Sequence, residues 1–517
     1  MWSYLPVAIR FVGQDDIHGV SGVALMDEVD GEVVDHFILT IGFFSTKNYK
    51  ILITSNYQYL PDTVDWYPVS LIHQYALNEH PQVVEKIHFF KNNNFKLLPY
   101  DAVNDNTYKL KNLSILKLKI KNLDFLQKKL FKPIDFNQQF IETGDKFTIN
   151  SFPFNFTNSL LFSNFVSKGS INYILDNIGY LSDVKYLENT VGSIVNTIDH
   201  GSVGLILGQL SKLNGDGDLT FILSWKVIWH YLNGKSMKDV MSSGGLSGIL
   251  LPSNPESLSN GRVPLTPPST PQTVKNYNSS VFAILLSNDK LCKWGSCIYY
   301  KPGVFITNNH VIDDFHQFNC QIFINETYSI DVAFEKIKVP FKDLDLCFIF
   351  VDETVDLLSI EPVKTVTTSY DLGDEVSTIG YGLFINKSWL NPLKSSGYIN
   401  CKMDLPVLDN QPKVNSIVIT SSSCWNGSSG GGLFNKNNEL IGLICCNAQV
   451  KVPKFDDQGN FVNNTEKVEK LSTFSLILPI AIIDYCYQNP KCINPDIINV
   501  WLLNSFHNDV FIELSKL

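Results

Sequence analysis

The first 291 residues contain no cysteine, and all ten cysteines, from Cys292 through Cys297, Cys320, Cys347, Cys401, Cys424, Cys445, Cys446 and Cys486 to Cys492, lie in the second half. A secreted disulfide framework staples every domain, so this asymmetry argues against one. Several of the cysteines stand inside apolar runs such as Leu346-Cys347-Phe348 and Ile444-Cys445-Cys446. They read as buried free thiols of a reducing or neutral compartment. The Cys292/Cys297 spacing has no paired Cys/His knuckle after it, so no metal is expected, and nothing implies another cofactor. No apolar run is long enough for a membrane span. Met1 to Asp15 is broken by Pro6, Arg10 and Gln14, unlike a secretory signal. There is also no basic stripe with interleaved aromatics, which leaves nucleic-acid binding unsupported. The net charge of −10 is spread along the chain and speaks for solubility.

The sequence does have many short apolar runs bounded by Asn, Asp, Gly, Ser and Pro, among them Phe37 to Phe44, Leu113 to Ile120 and Ile417 to Thr420. Helical periodicity is scarce, with Trp225 to Leu232 and Pro479 to Tyr487 as the clearest candidates. This is an all-β pattern of barrels or sandwiches. Between 241 and 277 the composition turns to Gly, Ser and Pro, which marks a linker. The expected order is a domain over 1–240, the linker 241–277, a second domain over 278–487 and a C-terminal tail over 488–517.

The two domains echo each other. Lys50 to Tyr57 resembles Gly303 to His310, and Asn112 to Lys117 resembles Asp345 to Phe350. Gly144 to Ile149 resembles Gly373 to Ile379, and Gly201 to Leu205 takes the place of Gly427 to Leu433. In this alignment Tyr57 stands for a histidine, Asn112 for an aspartate and a shortened glycine turn for a serine turn. A phenol that ionises near pH 10 cannot serve as a base near neutrality. The first domain is therefore expected to be a degenerate, inactive copy.

Cleaving an amide with a hydroxyl requires an alcohol on a sharp turn, an imidazole to take its proton, a carboxylate to orient the imidazole, and N–H groups for the oxyanion. Asn426-Gly427-Ser428-Ser429-Gly430-Gly431-Gly432-Leu433 supplies the turn, with Ser429 as nucleophile and the N–H groups of Gly427 and Ser429 as oxyanion donors. Phe305 to Ile312 puts His310 just past an apolar strand. Asp345 opens the run Leu346 to Val351, with Asp343 as its competitor. The walls of a specificity pocket are expected from Ser423, Cys424, Cys445, Cys446 and Asn447. That thiol-lined, acid-free set suits a small or sulfur-bearing side chain such as Cys.

The motifs I-T-N-N-H-V, D-L-C-F-I-F and G-S-S-G-G-G-L-F resemble those of the trypsin superfamily, especially its Deg/HtrA branch. The resemblance implies two tandem chymotrypsin-like double β-barrel units, the first degenerate, with a short helical segment and tail at the end. It implies a serine endopeptidase with His310 as general base, Asp345 as its partner and Ser429 as nucleophile. Ser428 stands where secreted trypsins carry an aspartate, so activation by a freed N-terminus is not expected.

The sequence closes on Ser515-Lys516-Leu517, a tripeptide that the peroxisomal import receptor reads as an address. Together with the two protease-like halves it resembles the peroxisomal leader peptide-processing proteases. That resemblance implies an enzyme of the peroxisomal matrix. It would remove N-terminal presequences from imported proteins and process β-oxidation enzymes, with those proteins and the import receptor as partners. Association into a homo-oligomer stays open. The alternatives are a general Deg/HtrA-type quality-control protease and an inactive peptide-binding scaffold.

Overall fold

The computed structural model describes residues 2–14, 17–42, 49–55, 66–99, 113–120, 131–136, 141–154, 165–197, 201–212, 217–233, 280–288, 291–313, 318–352, 357, 360–386, 390–408, 412–452 and 467–501. The expected linker 241–277, Tyr57, Asn112 and the tripeptide Ser515-Lys516-Leu517 lie outside them. The chain divides into two compact units, Met1–Asn214 with Asp218–Pro267, and Pro268–Leu517 with Gly215–Gly217.

The first unit begins with β1 (Trp2–Val12), β2 (Ile17–Val29), β3 (Glu32–Gly42), β4 (Lys50–Thr54), β5 (Tyr67–Ala76), helix α1 (Pro81–Asn92) and β6 (Phe95–Leu98). It continues with β7 (Ser114–Ile120), β8 (Lys132–Pro133), β9 (Lys146–Ser151), β10 (Phe165–Leu175), β11 (Gly179–Ser182), β12 (Ile194–Thr197), β13 (Ser202–Lys212), β14 (Leu219–Ser224) and α2 (Trp225–Asn233). The order β2-β3-β7-β5-β4-β1 closes on itself through the β1–β2 pairing, and β12-β9-β10-β11-β14-β13 closes through β12–β13. These are two six-stranded antiparallel barrels. Alternation drives the local choice: in β9, Phe147, Ile149 and Ser151 are buried while their neighbours are not. Helix α1 was not anticipated, although Val83, Ile87 and Phe90 fall on one buried face behind Pro81 in the first turn.

The second unit holds β15 (Val281–Ser287), β16 (Cys292–Lys301), β17 (Val304–Asn308), the single turn α3 (Asn309–Ile312), β18 (Asn319–Phe323), β19 (Ser329–Asp331), β20 (Ile337–Lys338) and β21 (Leu346–Phe350). Then come β22 (Glu375–Gly380), β23 (Leu393–Pro406), β24 (Lys413–Thr420), β25 (Gly432–Asn435), β26 (Leu440–Val452), β27 (Lys467–Pro479), α4 (Ile480–Gln488) and α5 (Pro495–Trp501). Strands β22-β23-β24-β27-β26-β25 form a closed barrel. The other sheet runs β19-β18-β15-β16-β17-β21-β20 and is not closed by hydrogen bonds. Its closing strand, β5 in the first unit, is here split into β19 and β20 by a 3-10 turn at Phe334–Lys336. Both units are built on the chymotrypsin-like double-barrel plan. Helices α2 and α4 fall on the two segments expected to be helical.

The internal repeat is present, but its register differs from the one read in the sequence. The two residues before β12 in the first unit and the two before β25 in the second anchor the same hydrogen-bond pattern. Gly192 N–H donates to Ile206 O at 2.8 Å as Gly430 N–H donates to Ile444 O at 3.0 Å. Ile206 N–H returns to Ser193 O as Ile444 N–H returns to Gly431 O. Ser21 N–H binds Val191 O as Ser296 N–H binds Ser429 O. Thr40 Oγ1 donates to Ser21 O as Thr307 Oγ1 donates to Ser296 O. Strand β3, paired with β2 and β7, is therefore the counterpart of β17, paired with β16 and β21. The β4 segment matched β17 only in five residues of composition; its partners are β1 and β5. Likewise Gly201 to Leu205 opens β13, the counterpart of β26, and is not the serine turn. The counterpart of Ser429 is Val191 and that of Asp345 is Ser114. The first unit's counterpart of His310 lies outside the described residues.

Candidate active site

The turn that carries Ser429 is forced by its surroundings. Gly427 and Gly430 have φ of +95° and +84°, a region that favours glycine. A Cβ on Gly427 would come within 2.5 Å of Trp294 Nε1, and one on Gly430 within 2.0 Å of Ser296 O. Ser296, fully buried on β16, organises the turn: its hydroxyl donates to Gly427 O at 2.8 Å and accepts from Tyr381 N–H at 2.8 Å. Its own N–H holds Ser429 O at 2.8 Å. Among the described residues, neither the Gly427 N–H nor the Ser429 N–H has a hydrogen-bond acceptor. Two unspent donors on one glycine turn are what an oxyanion requires. Sequence reasoning missed Ser296, because an isolated serine in an apolar strand carries no local signal.

Ser296→Ala removes the hydroxyl that accepts the buried Tyr381 N–H and donates to Gly427 O. The expected cost is about 1–3 kcal/mol of stability, with a loss of peptidase activity beyond what the fraction unfolded explains. Thermal unfolding and kcat/KM measured on the same preparation check it; an unchanged kcat/KM would show that the turn holds without Ser296.

Asp345 follows a 3-10 turn at Lys342–Leu344 and adopts a left-handed conformation, φ 54° and ψ 32°. From there one carboxylate oxygen accepts the His310 N–H at 2.8 Å and the other lies 2.6 Å from His310 Nδ1. The ring is about half exposed and the carboxylate mostly covered. Asp343 sits inside the 3-10 turn, and no hydrogen bond ties it to His310. The Ser429 hydroxyl donates to Cys445 O at 3.2 Å.

His310 and Ser429 line one cavity of about 450 Å³ together with Gly427, Cys424, Cys445, Cys446 and Asn447. Asn447 Nδ2 donates to Cys424 O at 2.6 Å, tying one pocket wall to the other. Cys424 and Cys445 are buried, and burial pushes the Cys424 thiol up to about 12 and the Cys445 thiol well above its ordinary value. Cys446 is exposed to the cleft, and desolvation by the walls, with the nearby Asp345 charge, raises its thiol too. Ser423 is the exception among the expected wall residues. It is buried behind the wall, with its N–H on Ser395 Oγ and its carbonyl on Thr378 Oγ1, and does not line the cavity. Beside Trp425, Asn426 and Ile444, the lining includes Lys293, Trp294 and Val311. They were not anticipated, since nothing in their segments marks them except proximity in the fold. Among the described residues, no carboxylate lines the cavity. Among the described residues no cluster of three or more His, Cys, Asp or Glu is arranged to hold a metal.

The equivalent place in the first unit is filled. Val191 is buried, and Asn189, the counterpart of Gly427 with φ 68°, donates from Nδ2 to Gly19 O at 2.7 Å. Ser114 is fully buried and accepts from Gln74 Nε2 at 3.1 Å. A hydrocarbon stands where a nucleophile would be, and a hydroxyl where the acid would be.

Residues 295–443 match the trypsin-like peptidase domain family. Among solved structures, the active form of the Rv3671c protease from M. tuberculosis is 16% identical, with 45% of this chain and 93% of that one aligned at a TM-score of 0.29. The HtrA-type protease AlgW with tripeptide is 15% identical, with 41% of this chain and 59% of that one aligned at a TM-score of 0.29. No curated protein sequence matches the chain. The family match places a trypsin-like peptidase domain over residues 295–443, within the second unit, and the chain is a serine peptidase.

Proposed function

We propose that this trypsin-like serine peptidase cuts proteins with Ser429 as nucleophile, His310 as general base and Asp345 as the group that fixes the imidazole. The observation that carries the proposal is the His310–Asp345 contact at 2.6 Å in the cavity that also holds Ser429. Asp345 accepts from Nδ1–H and so keeps Nε2 unprotonated and ready to take a proton. The serine rests on the Cys445 carbonyl through a long bond. Rotation about its Cα–Cβ bond exchanges that bond for one to the imidazole when substrate arrives, as catalytic hydrogen bonds tighten on complex formation. The tetrahedral oxyanion is received by the N–H groups of Gly427 and Ser429. His310 then returns its proton to the leaving amine, and water repeats the sequence on the acyl-enzyme.

The finer reading is a processing peptidase of the peroxisomal matrix that removes N-terminal presequences and cuts after Cys or another small residue. The absence of a carboxylate from the cavity lining supports it, since Lys or Arg would enter without a counter-charge. The bond from Asn447 to Cys424 limits the width of the pocket. Location rests on the tripeptide Ser515-Lys516-Leu517 alone. The first unit, without acid or nucleophile at the equivalent places, acts as a non-catalytic partner of the second.

Peptides that differ only before the scissile bond should be cut fastest with Cys, Ala or Ser there, and at least tenfold more slowly with Arg or Phe. A preference for Arg or Phe would overturn the specificity. Terminal-peptide mass spectrometry of peroxisomal proteins with and without active enzyme should show presequence junctions among the cuts. Removal of residues 515–517 should leave the protein in the cytosol, and unchanged location would overturn the address.

A further inference from the structure

We infer that Asn308 is a positioning residue for the Asp345–His310 pair, an inference that rests on the triad proposed above. Asn308 is the last residue of β17 and is completely buried. Its Nδ2 donates to the main-chain carbonyl of Asp345 at 3.1 Å and lies 3.3 Å from Cys445 Sγ, while its buried Oδ1 has no partner among the described residues. A half-satisfied amide in a core lowers stability, and an aliphatic side chain would do better there. Its retention calls for a function.

The function follows from what it holds. Asp345 is a non-glycine residue in the left-handed region, a conformation that persists only when neighbours fix it. Its carbonyl receives two donors, the Asn309 N–H at 3.0 Å and the Asn308 side chain. Together these set the peptide from which the carboxylate reaches the His310 N–H and ring. The same Nδ2 touches Cys445, the residue whose carbonyl accepts the Ser429 hydroxyl. One amide therefore braces the acid and meets the strand on which the serine rests.

The first unit supplies an internal control. Thr40 corresponds to Thr307, so Ile41 stands in the place of Asn308. Ile206 corresponds to Ile444, so Leu207 stands in the place of Cys445. The strand irregularity between Ile206 and Gly208 matches the one between Ile444 and Cys446. Ile41 and Leu207 are both fully buried. Where acid and nucleophile are missing, the buried amide and thiol are replaced by hydrocarbon. The same backbone therefore folds without the amide, and only the unit that must hold an aspartate keeps it.

The test is Asn308→Ile in the full-length protein, which installs the first unit's side chain. The thermal midpoint should stay level or rise, while kcat/KM falls by about 10²-fold, the scale of a misplacement near 1 Å. KM should change little. Asn308→Ser, which keeps a shorter donor, should fall between the two in rate. A wild-type rate in Asn308→Ile would overturn the inference. So would a lower rate with a lower midpoint and a raised KM, which is the mark of a purely structural residue. Failure of both variants to fold would overturn it as well, by making Asn308 part of the core. Fluorophosphonate labelling of wild-type Ser429 separates the two levels. A labelled wild type with an indifferent Asn308→Ile sinks only the positioning role, whereas an unlabelled wild type sinks the triad and this role with it.

Discussion

Ser429→Ala is expected to lower kcat by about 10⁴-fold or more while the protein folds and binds peptide as before. The change removes one oxygen whose recorded bond is the 3.2 Å contact to Cys445 O, so little stability depends on it. It leaves the turn intact, because the turn is held by backbone groups and Ser296 rather than by the Ser429 side chain. What remains is the electrostatic provision of the Gly427 and Ser429 N–H groups, enough for a residual rate above water alone. Single-turnover cleavage of a peptide, with binding followed separately by fluorescence, checks both halves. A drop below tenfold would place the nucleophile elsewhere.

Asp345→Asn should cost about 10⁴-fold in kcat with the fold preserved. The oxygen of the new amide can still accept the His310 N–H, now held at 2.8 Å. The NH₂ group then faces Nδ1, where a carboxylate oxygen stands at 2.6 Å. A donor facing Nδ1 makes that nitrogen the acceptor and moves the ring proton to Nε2, the nitrogen that must be bare to receive the serine proton. The change also removes the charge that stabilises the imidazolium as it forms. The rate loss should appear in kcat rather than KM, because no peptide contact is altered. A loss confined to KM would mean that Asp345 shapes binding and does not orient the base.

The contrast between these two residues and the rest of the site shows what can be read from a chain of letters. His310, Asp345 and Ser429 sit in short local contexts, a strand end, a strand start and a glycine turn, and each context is written within a few neighbouring residues. Their meeting in one place is dictated by barrel closure, which apolar alternation already implied. Ser296 and Trp294 were invisible because their roles are contacts made across more than ten residues, with nothing distinctive next to them in sequence; Asn308 lay inside the I-T-N-N-H-V motif, but its contacts to Asp345 and Cys445 are equally remote in sequence. Ser423 was misjudged as a wall for the same reason, since counting back from the serine says nothing of which way a side chain turns.

The repeat was legible as a repeat but not in register. Five residues around Ile51 imitate β17 in composition, whereas identity of place is set by partners: β3 lies between β2 and β7, as β17 lies between β16 and β21. Among the described residues, Ser114 and Val191, rather than Asn112 and the Gly201 turn, stand at the places of the acid and the nucleophile. Helix α1 was missed because its apolar spacing is short and lies within a chain otherwise written for strands.

The central claim is that one hydroxyl is made nucleophilic by the imidazole beside it. Incubation with a fluorophosphonate, followed by peptide mapping in the wild type and in His310→Ala, tests it most directly. A single modification at Ser429 in the wild type, and at least a 10²-fold slower reaction without the imidazole, is the result predicted. An unmodified wild type, or a Ser429 that reacts equally fast without His310, would contradict it.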